Sequence, residues 1–582
     1  MRFGQQQGIN VIIPRDPADR DEKIQQIKDT CLASRGDRDA LYLRRKRYFL
    51  FGTSDYGVEV KYNRLKSHLD LVSSFLYAPD HCRFSVAASR NADTSAVDQA
   101  TGLQDEWNDF FKDTGLAYQF SEAILWSLVF DSMFIKIGWN DTRNCLTGTV
   151  FAPQDFSVYD ESEPDLDSQE AFVHSYSLNW DNAVLRLLRA GMKDQIDSLV
   201  ARPGNESDEM PPILANLLIN STGGPNIAGA MTGRASVDYE PRATYESKSD
   251  NPMVRCHEIV VWDDIAEDYA FFTMMDGVTG CLSDSRETVA AMAEADEANR
   301  HRYEGKSNIF LPGEHPFIQV RPYSLYNFFW GESHCDNLIQ LQVWTNERLQ
   351  QISDMLEKQV DPPLVGSGFS GLADEKMNAL RGPGAWVLDQ IPGAKIDQLS
   401  PQMPENLFTE FNEIGHIFLD ASGLTETVMG QGEQGVRGEK HAKRLALTGS
   451  GRIRKIAVAL EPSLVKLADI SIKLLQKNSD HRFTTKSGET LVPALVSETN
   501  LRISVAGHSH SPLFQDEAKE QAAGLFKAEA IDREMLVRML DPPNADAIIH
   551  ALRERVKAEA ALKQQQAMSG EQPKPAHARK AA

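Results

Sequence analysis

The chain reads as an α+β fold, and three observations predict it. An apolar helix over residues 118–134 (Ile124, Leu125, Leu128, Val129) runs straight into strand-like stretches at 135–139 and 146–152. Strand patterns return at 258–262, 269–273 and 317–322. After Gly331 the character changes to long helical stretches on either side of a short, glycine-bearing, β-like insert.

Taken in order, residues 21–48 read as a helix or helix pair ending in the basic run Arg44, Arg45, Lys46, Arg47, which is expected to be a solvated helix end. Residues 62–77 carry Leu65, Leu69, Val72 and Leu76 at helical spacing and stop at Pro79. Asn140 and Asp141 form the turn between the first two strands. Residues 181–199 look helical, whereas 203–250 are rich in Gly, Pro, Ser, Asn and Thr without a period and read as an insertion or long loop. The turn Asp276, Gly277 supports a hairpin among the next strands, and 286–302 reads as an acidic helix. Leu338, Leu341, Leu349, Ile352 and Leu356 then mark a long helix that Asp361, Pro362 and Pro363 end. The insert that follows has strand candidates at 363–365, 385–388 and 395–399, and a second helix over 405–419 aligns Leu407, Phe411, Ile414 and Phe418. Residues 423–438 are glycine-rich and lack a period. Residues 439–477 are helical and would extend about 58 Å if straight, but Gly449, Gly451 and Pro462 are bending residues. A strand at 501–505, helices at 515–528, 533–540 and 546–563, and a disordered tail over 564–582 complete the reading.

Composition narrows the function classes. With 582 residues there is length for several domains. The net charge of −22, from 61 basic against 83 acidic side chains, makes the chain as a whole repel nucleic acid, so any DNA contact is local. The six cysteines form no CxxC pair and fit a reducing compartment. The first residues lack the pattern of a signal peptide, and no segment reaches the roughly 20 apolar residues of a membrane span, so a soluble protein of cytosolic origin is expected.

Catalytic motifs are thin. Gly366, Gly368, Gly371 and Gly430, Gly432, Gly435 match GxGxxG by letter, but a dinucleotide site needs a strand, the glycine turn and a helix, so both read as loops. His508 and His510 lack further ligands nearby, and Asp263 and Asp264 read as turn residues. No phosphate loop, nucleophile elbow or zinc motif occurs, and neither an enzymatic activity nor a cofactor or metal is expected. The stretch 437–455 stands apart. Arg437, Lys440, Lys443, Arg444, Arg452, Arg454 and Lys455 against Glu439 alone leave +6, suited to duplex phosphates without sequence readout.

In ordered sequence, several loose motifs resemble the portal proteins of tailed bacteriophages. They are the helix at 63–77 ending in Ala78-Pro79, the helix-to-strand passage at 121–139, Ala152-Pro153-Gln154-Asp155-Phe156, residues 258–262 and the stretch from Pro322 to Gly331 followed by Leu338-Ile339-Gln340-Leu341-Gln342. Asp361-Pro362-Pro363, Phe418-Leu419-Asp420-Ala421-Ser422-Gly423-Leu424 and the glycine loop continue the series. The resemblance covers about 21–563, and its specific part is the order. It implies a portal-like, multi-part subunit: wing over 1–330 (with 203–250 an insertion), stem helices at 331–360 and 401–422, clip at 361–400 and tunnel loop at 423–438. A long kinked helix at 439–478, further wing strands at 479–510 and a crown at 511–563 follow. The implied function is a structural ring, usually a dodecamer, at the capsid vertex of a virion, assembled in the host cytoplasm. It would form the channel for packaging and ejecting double-stranded DNA, and dock a large terminase and a head-tail adaptor beside major capsid and scaffolding proteins. No membrane is involved. Gln431, Glu433, Gln434, Arg437, Lys440, Lys443 and Arg444 are the tunnel candidates, and Phe369, Leu372, Lys376, Arg381 and Trp386 the clip candidates. DNA carries one charge per about 1.7 Å of axis, so a mainly acidic wall with few basic contacts would let it slide. The alternatives are another head or adaptor component, or a nucleotide-dependent DNA-processing enzyme.

Overall fold

Period-two alternation of apolar side chains builds the centre of the molecule. In the computed structural model, the described residues are 12–33, 35–53, 62–80, 82–87, 104, 107, 108, 110–140, 143, 145–202, 252–295, 306–360, 364–367, 395–398, 404, 406–424, 451–477, 483, 484, 490, 491, 502–505, 512–540, 548, 549, 551–555, 557 and 558. The class is α+β, as the sequence predicts.

The chain opens with helices α1 (Pro17–Ala33), α2 (Arg35–Phe51) and α3 (Arg64–Leu76), then strand β1 (Phe84–Ala87) and helix α4 (Leu116–Phe130). Strands β2 (Met133–Asn140) and β3 (Cys145–Phe151) form a hairpin, and β10 (Phe317–Val320) adds to β2 to complete a three-stranded antiparallel sheet. A larger antiparallel sheet joins β4 (Phe156–Val158), β5 (Ala171–Asn179), β7 (Met253–Asp263), β8 (Asp268–Met275) and β9 (Ser283–Asp284) in that order, with β6 (Ala201–Arg202) also on β7.

Alternate residues of these strands serve different layers. Phe172, Val260, Tyr269 and Phe271 face the smaller sheet, where they pack with Phe134, Phe317, Phe329 and Trp330 in an aromatic core. Ala171, Val173, Ile259, Val261, Ala270 and Phe272 face the other way, onto Ile24, Ile27 and Cys31 of α1. On the far side of the smaller sheet, Ile135 and Ile137 join a large helical core with α3, α4 and a long late helix. The order of layers is thus helix, sheet, sheet, helices. Between the sheets, Lys136 and His174 both engage Glu258. Burial raises the Glu258 pKa, but the hydrogen bond from His174 and the Lys136 charge outweigh it and bring it down to about 2.

Several local readings are corrected. The helical stretch 181–199 divides into α5 (Trp180–Arg189) and a 3₁₀ turn (Lys193–Ser198), because Gly191 turns the chain at φ +76°. The β7–β8 hairpin closes at 264–267, where Asp263 Oδ1 accepts from the backbone N–H of Ile265 at 3.0 Å and of Ala266 at 3.4 Å. Asp276 and Gly277 turn the chain as the sequence predicts, in the hairpin from β8 to β9, where the Val278 N–H donates to the Met275 carbonyl at 3.2 Å. A Cβ at Gly277 would lie 2.0 Å from the Ser198 carbonyl, and its φ is +86°. The acidic helix is α6 (Ser285–Ala295), and 296–305 lie outside the described residues. The basic run at 44–47 lies within α2 rather than at its end, and Arg45 is only 4% exposed.

After β10 come α7 (Asp336–Val360), strands β11 (Leu364–Ser367) and β12 (Lys395–Gln398), α8 (Asn406–Ser422) and α9 (Gly451–Lys477). Two-residue strands β13 (Phe483–Thr484) and β14 (Thr490–Leu491) pair with each other. Strand β15 (Arg502–Val505) returns to pair antiparallel with β1, before α10 (Pro512–Lys527) and α11 (Arg533–Leu540). No helix among the described residues is long and apolar enough to cross a membrane.

Candidate functional site

Helices α7 and α8 form an antiparallel pair whose burial is confined to one end. Leu338, Ile339, Gln342, Thr345, Asn346 and Ile352 are the buried positions of α7, and beyond Ile352 none follows. In α8 the buried residues Ile414, Phe418 and Ser422 recur every four positions in its second half. The two helices therefore leave the body side by side. Arg348 pairs with Glu410 across them at 2.8 Å. Their outer halves expose Leu356, Phe408 and Val360, the last at 86%. At the tip, β11 and β12 pair antiparallel, with Gly366 opposite Ile396, so that glycine sits within a strand rather than at a strand-to-helix turn. The strand candidate at 385–388 and the clip candidates Phe369, Leu372, Lys376, Arg381 and Trp386 lie outside the described residues.

The base of α7 is held by buried polar groups. Arg45 Nη1 donates to Asp131 Oδ2 at 3.0 Å, while its Nε and Nη2 engage the two carboxylate oxygens of Asp336 at 2.8 and 2.5 Å. Tyr42 donates to Asp131 at 3.3 Å. Burial raises the Asp131 pKa to about 7 despite the Arg45 charge beside it. Nearly two turns further on, Gln342 Oε1 accepts from the backbone N–H of Arg64 and of Leu65, both at 3.1 Å, and its amide donates to the Tyr62 carbonyl at 2.8 Å.

The exit from α8 is a glycine-capped turn. Gly423 N–H donates to the Asp420 carbonyl and Leu424 N–H to the Leu419 carbonyl, both at 3.2 Å, with Gly423 at φ +75°. The chain comes back at the same corner, because Arg452 in the first turn of α9 donates to the Asp420 carbonyl at 3.2 Å and packs on Gly423. The described chain on either side of 425–450 thus meets at one corner. The tunnel candidates Gln431, Glu433, Gln434, Arg437, Lys440, Lys443 and Arg444 fall in that segment and lie outside the described residues, as do His508 and His510. Of the basic stretch 437–455, the described members are Arg452, Arg454 and Lys455. Arg452 and Lys455 are exposed, and Arg454 is half-buried. Next to Arg452, His334 accepts or shares a 2.7 Å hydrogen bond with Tyr323 Oη; burial, helped by the Arg452 charge, lowers its pKa to about 4.

Helix α9 runs through Pro462 and lays Ile453, Ile456, Leu460, Leu464 and Leu467 into the helical core. Its later lysines are tied to the body. Lys466 pairs with Asp167, which also meets His315 Nε2 at 2.8 Å, and Lys473 pairs with Glu314 at 2.6 Å. Lys477 donates to the carbonyls of Ile309 and Phe310 at 2.7 Å.

One polar chain has no signal in the sequence. Ser175 and His257 are register partners on β5 and β7, and Ser175 Oγ meets His257 Nδ1 at 2.9 Å while His257 Nε2 meets Asp276 Oδ1 at 2.9 Å. The three span 101 positions only because the strands pair. A cavity of about 260 Å³ is lined by Leu32, Arg35, Asp39, Arg255, His257 and Asp276. Ser175 is fully buried and is absent from that lining, with Arg35 Nη1 3.5 Å from its hydroxyl. The arrangement cross-links β5, β7 and the end of β8 through an interior serine, not one open to a substrate.

No family model and no curated protein matches the chain. Among solved structures it is similar to a chain of the "Virion of native gene transfer agent (GTA) particle", at 10% identity over 89% of this chain and 99% of that one, with a TM-score of 0.39. A likeness that loose carries no argument about fold or role.

Proposed function

We propose that the chain is the subunit of a portal ring of a tailed phage, a structural and non-enzymatic component of the capsid vertex. In this reading α7 and α8 are the stem, the segment between them is the clip that docks a large terminase and later a head-tail adaptor, and 425–450 contains the loop that lines a channel for double-stranded DNA. The observation that carries it is the α7–α8 pair, which projects from a layered α+β body, ends in a small β pair and returns to the corner where 425–450 begins. A projecting helix pair with exposed apolar side chains on its outer half is a part that neighbours must cover. A head-to-tail arrangement of identical subunits whose rotation closes into a ring covers every copy equally. Lysines 466, 473 and 477 are bound by the body, whereas Lys455, in the first turns of α9 beside the return from 425–450, is exposed.

The test is electron microscopy of the purified full chain, with native mass spectrometry for the copy number. Rings with a central opening and countable rotational symmetry are expected. A monomer that forms no rings at high concentration overturns the reading.

A further inference from the structure

We infer that Arg64, held on an aromatic platform at the base of α8, is the cationic half of a contact whose other half is the acidic face of α7 on a second copy of this chain. The inference rests on the ring reading and assigns its residues.

Arg64 is the first residue of α3, where a positive charge opposes the helix dipole, and that first turn contains no acid. Its guanidinium lies over the Phe411 ring at 5.2 Å and over the Tyr62 ring at 5.4 Å. It rests on Gly415, where a Cβ would come within 2.5 Å of Nη1, so the lack of a side chain there gives it room. Among the described residues no carboxylate lies within ion-pair distance of it, although the chain has 83 acids. Among the described residues two exposed aromatic side chains lie on this side of the helix pair. Tyr62 is 50% exposed and Phe408, one turn from Phe411, is 51% exposed. An arginine over one exposed and one half-buried aromatic ring, with no carboxylate partner among the described residues, has the composition of a binding hot spot.

The complementary face lies on the same helix pair. Gln342 faces the α2–α3 connection, and Arg348, about 240° around α7 from it, faces α8. Glu347 and Asp354 fall about 120° to 140° from Gln342 on the same scale, away from both neighbours, and both are exposed. One subunit therefore presents a stacked cation on one side of its projecting pair and two carboxylates on another. Unlike faces that complement each other make a heterologous contact, the kind that closes into rings. An arginine on aromatic faces retains its fork of donors for a carboxylate, which a lysine would not match.

The experiment compares assembly of the full chain by native mass spectrometry and light scattering, for wild type, Arg64→Gln, Arg64→Glu, the pair Glu347→Lys with Asp354→Lys, and Arg64→Glu combined with that pair. Circular dichroism melts confirm that each variant folds. Arg64→Gln is expected to raise the concentration needed for assembly about tenfold, Arg64→Glu and the double lysine variant more, and the combined charge swap to restore assembly. Wild-type assembly with an Arg64→Gln or Arg64→Glu protein that assembles at the same concentration overturns this inference and leaves the ring reading standing. Single losses without restoration by the swap overturn the choice of α7 as partner. A wild-type chain that never assembles overturns the ring reading itself.

Discussion

Asp131 combines backbone strain with buried charge at a single position. Its φ of +136° is in a region that costs a residue with a side chain about 1–3 kcal/mol, and it closes α4 by donating its N–H to the Ser127 carbonyl. The surroundings fix it there. Arg45 and Tyr42 hold its carboxylate, and its carbonyl approaches Gly331 so closely that a Cβ on that glycine would lie 2.8 Å away. Because burial raises its pKa from 3.8 to about 7, the folded state takes up a proton more readily than the unfolded chain does. The stability it contributes is complete below about pH 4 and is lost as the pH rises through about 7. Asp131→Asn is therefore expected to gain on wild type across that window by on the order of 2–4 kcal/mol, read from paired urea titrations at several pH values. A difference between the two proteins that is flat with pH would rule out this account. Arg45 shows what the sequence hides at this scale. Four consecutive basic residues look like a solvated face, yet one of them points at two carboxylates 86 and 291 positions away.

At the scale of elements, α7 is joined to α3 by one side chain. Gln342 is fully buried and satisfies two first-turn N–H groups of α3, which have no partner within their own helix. Replacing it with leucine keeps the bulk and removes the acceptor, so Gln342→Leu is expected to cost about 1–3 kcal/mol and to loosen α7 from the body. Chemical denaturation gives the cost, and hydrogen exchange at Arg64 and Leu65 shows where it falls. Unchanged protection at those two amides would contradict the role. The helices themselves were legible. Leu338, Ile352, Ile414 and Phe418 carry the predicted spacing and all are buried, because an amphipathic helix records its period within a few turns. Gln342 stood in the sequence only as the last member of the 338–342 motif, and its partner was not legible, since a glutamine on a helix looks the same whether it meets water or the start of another helix.

For the whole molecule, charge separates two kinds of basic residue on one stretch of chain. Late in α9, Lys466 and Lys473 are neutralised by Asp167 and Glu314 and Lys477 bonds backbone carbonyls, whereas Arg437, Lys440 and Lys443 are the ones the ring reading assigns to DNA. Reversing the charge at those three positions is expected to leave ring assembly intact and to reduce packaged or retained DNA several-fold, measured as nuclease-protected DNA in assembled particles. Normal packaging would remove them from the channel. A mostly acidic chain of −22 is compatible with that function, because a polyanion slides past a like-charged wall and is held only at local contacts.

The α+β class and most of the helices and strands were legible from the residues alone. These are local: a period of two or of 3.6 is complete within a handful of residues. That β15 returns to β1, that Arg45 is buried, and that Ser175, His257 and Asp276 form one chain of hydrogen bonds came from the folded chain alone. Each of these depends on which distant groups arrive at the same place, and a polar side chain carries no periodic mark of the partner it will meet.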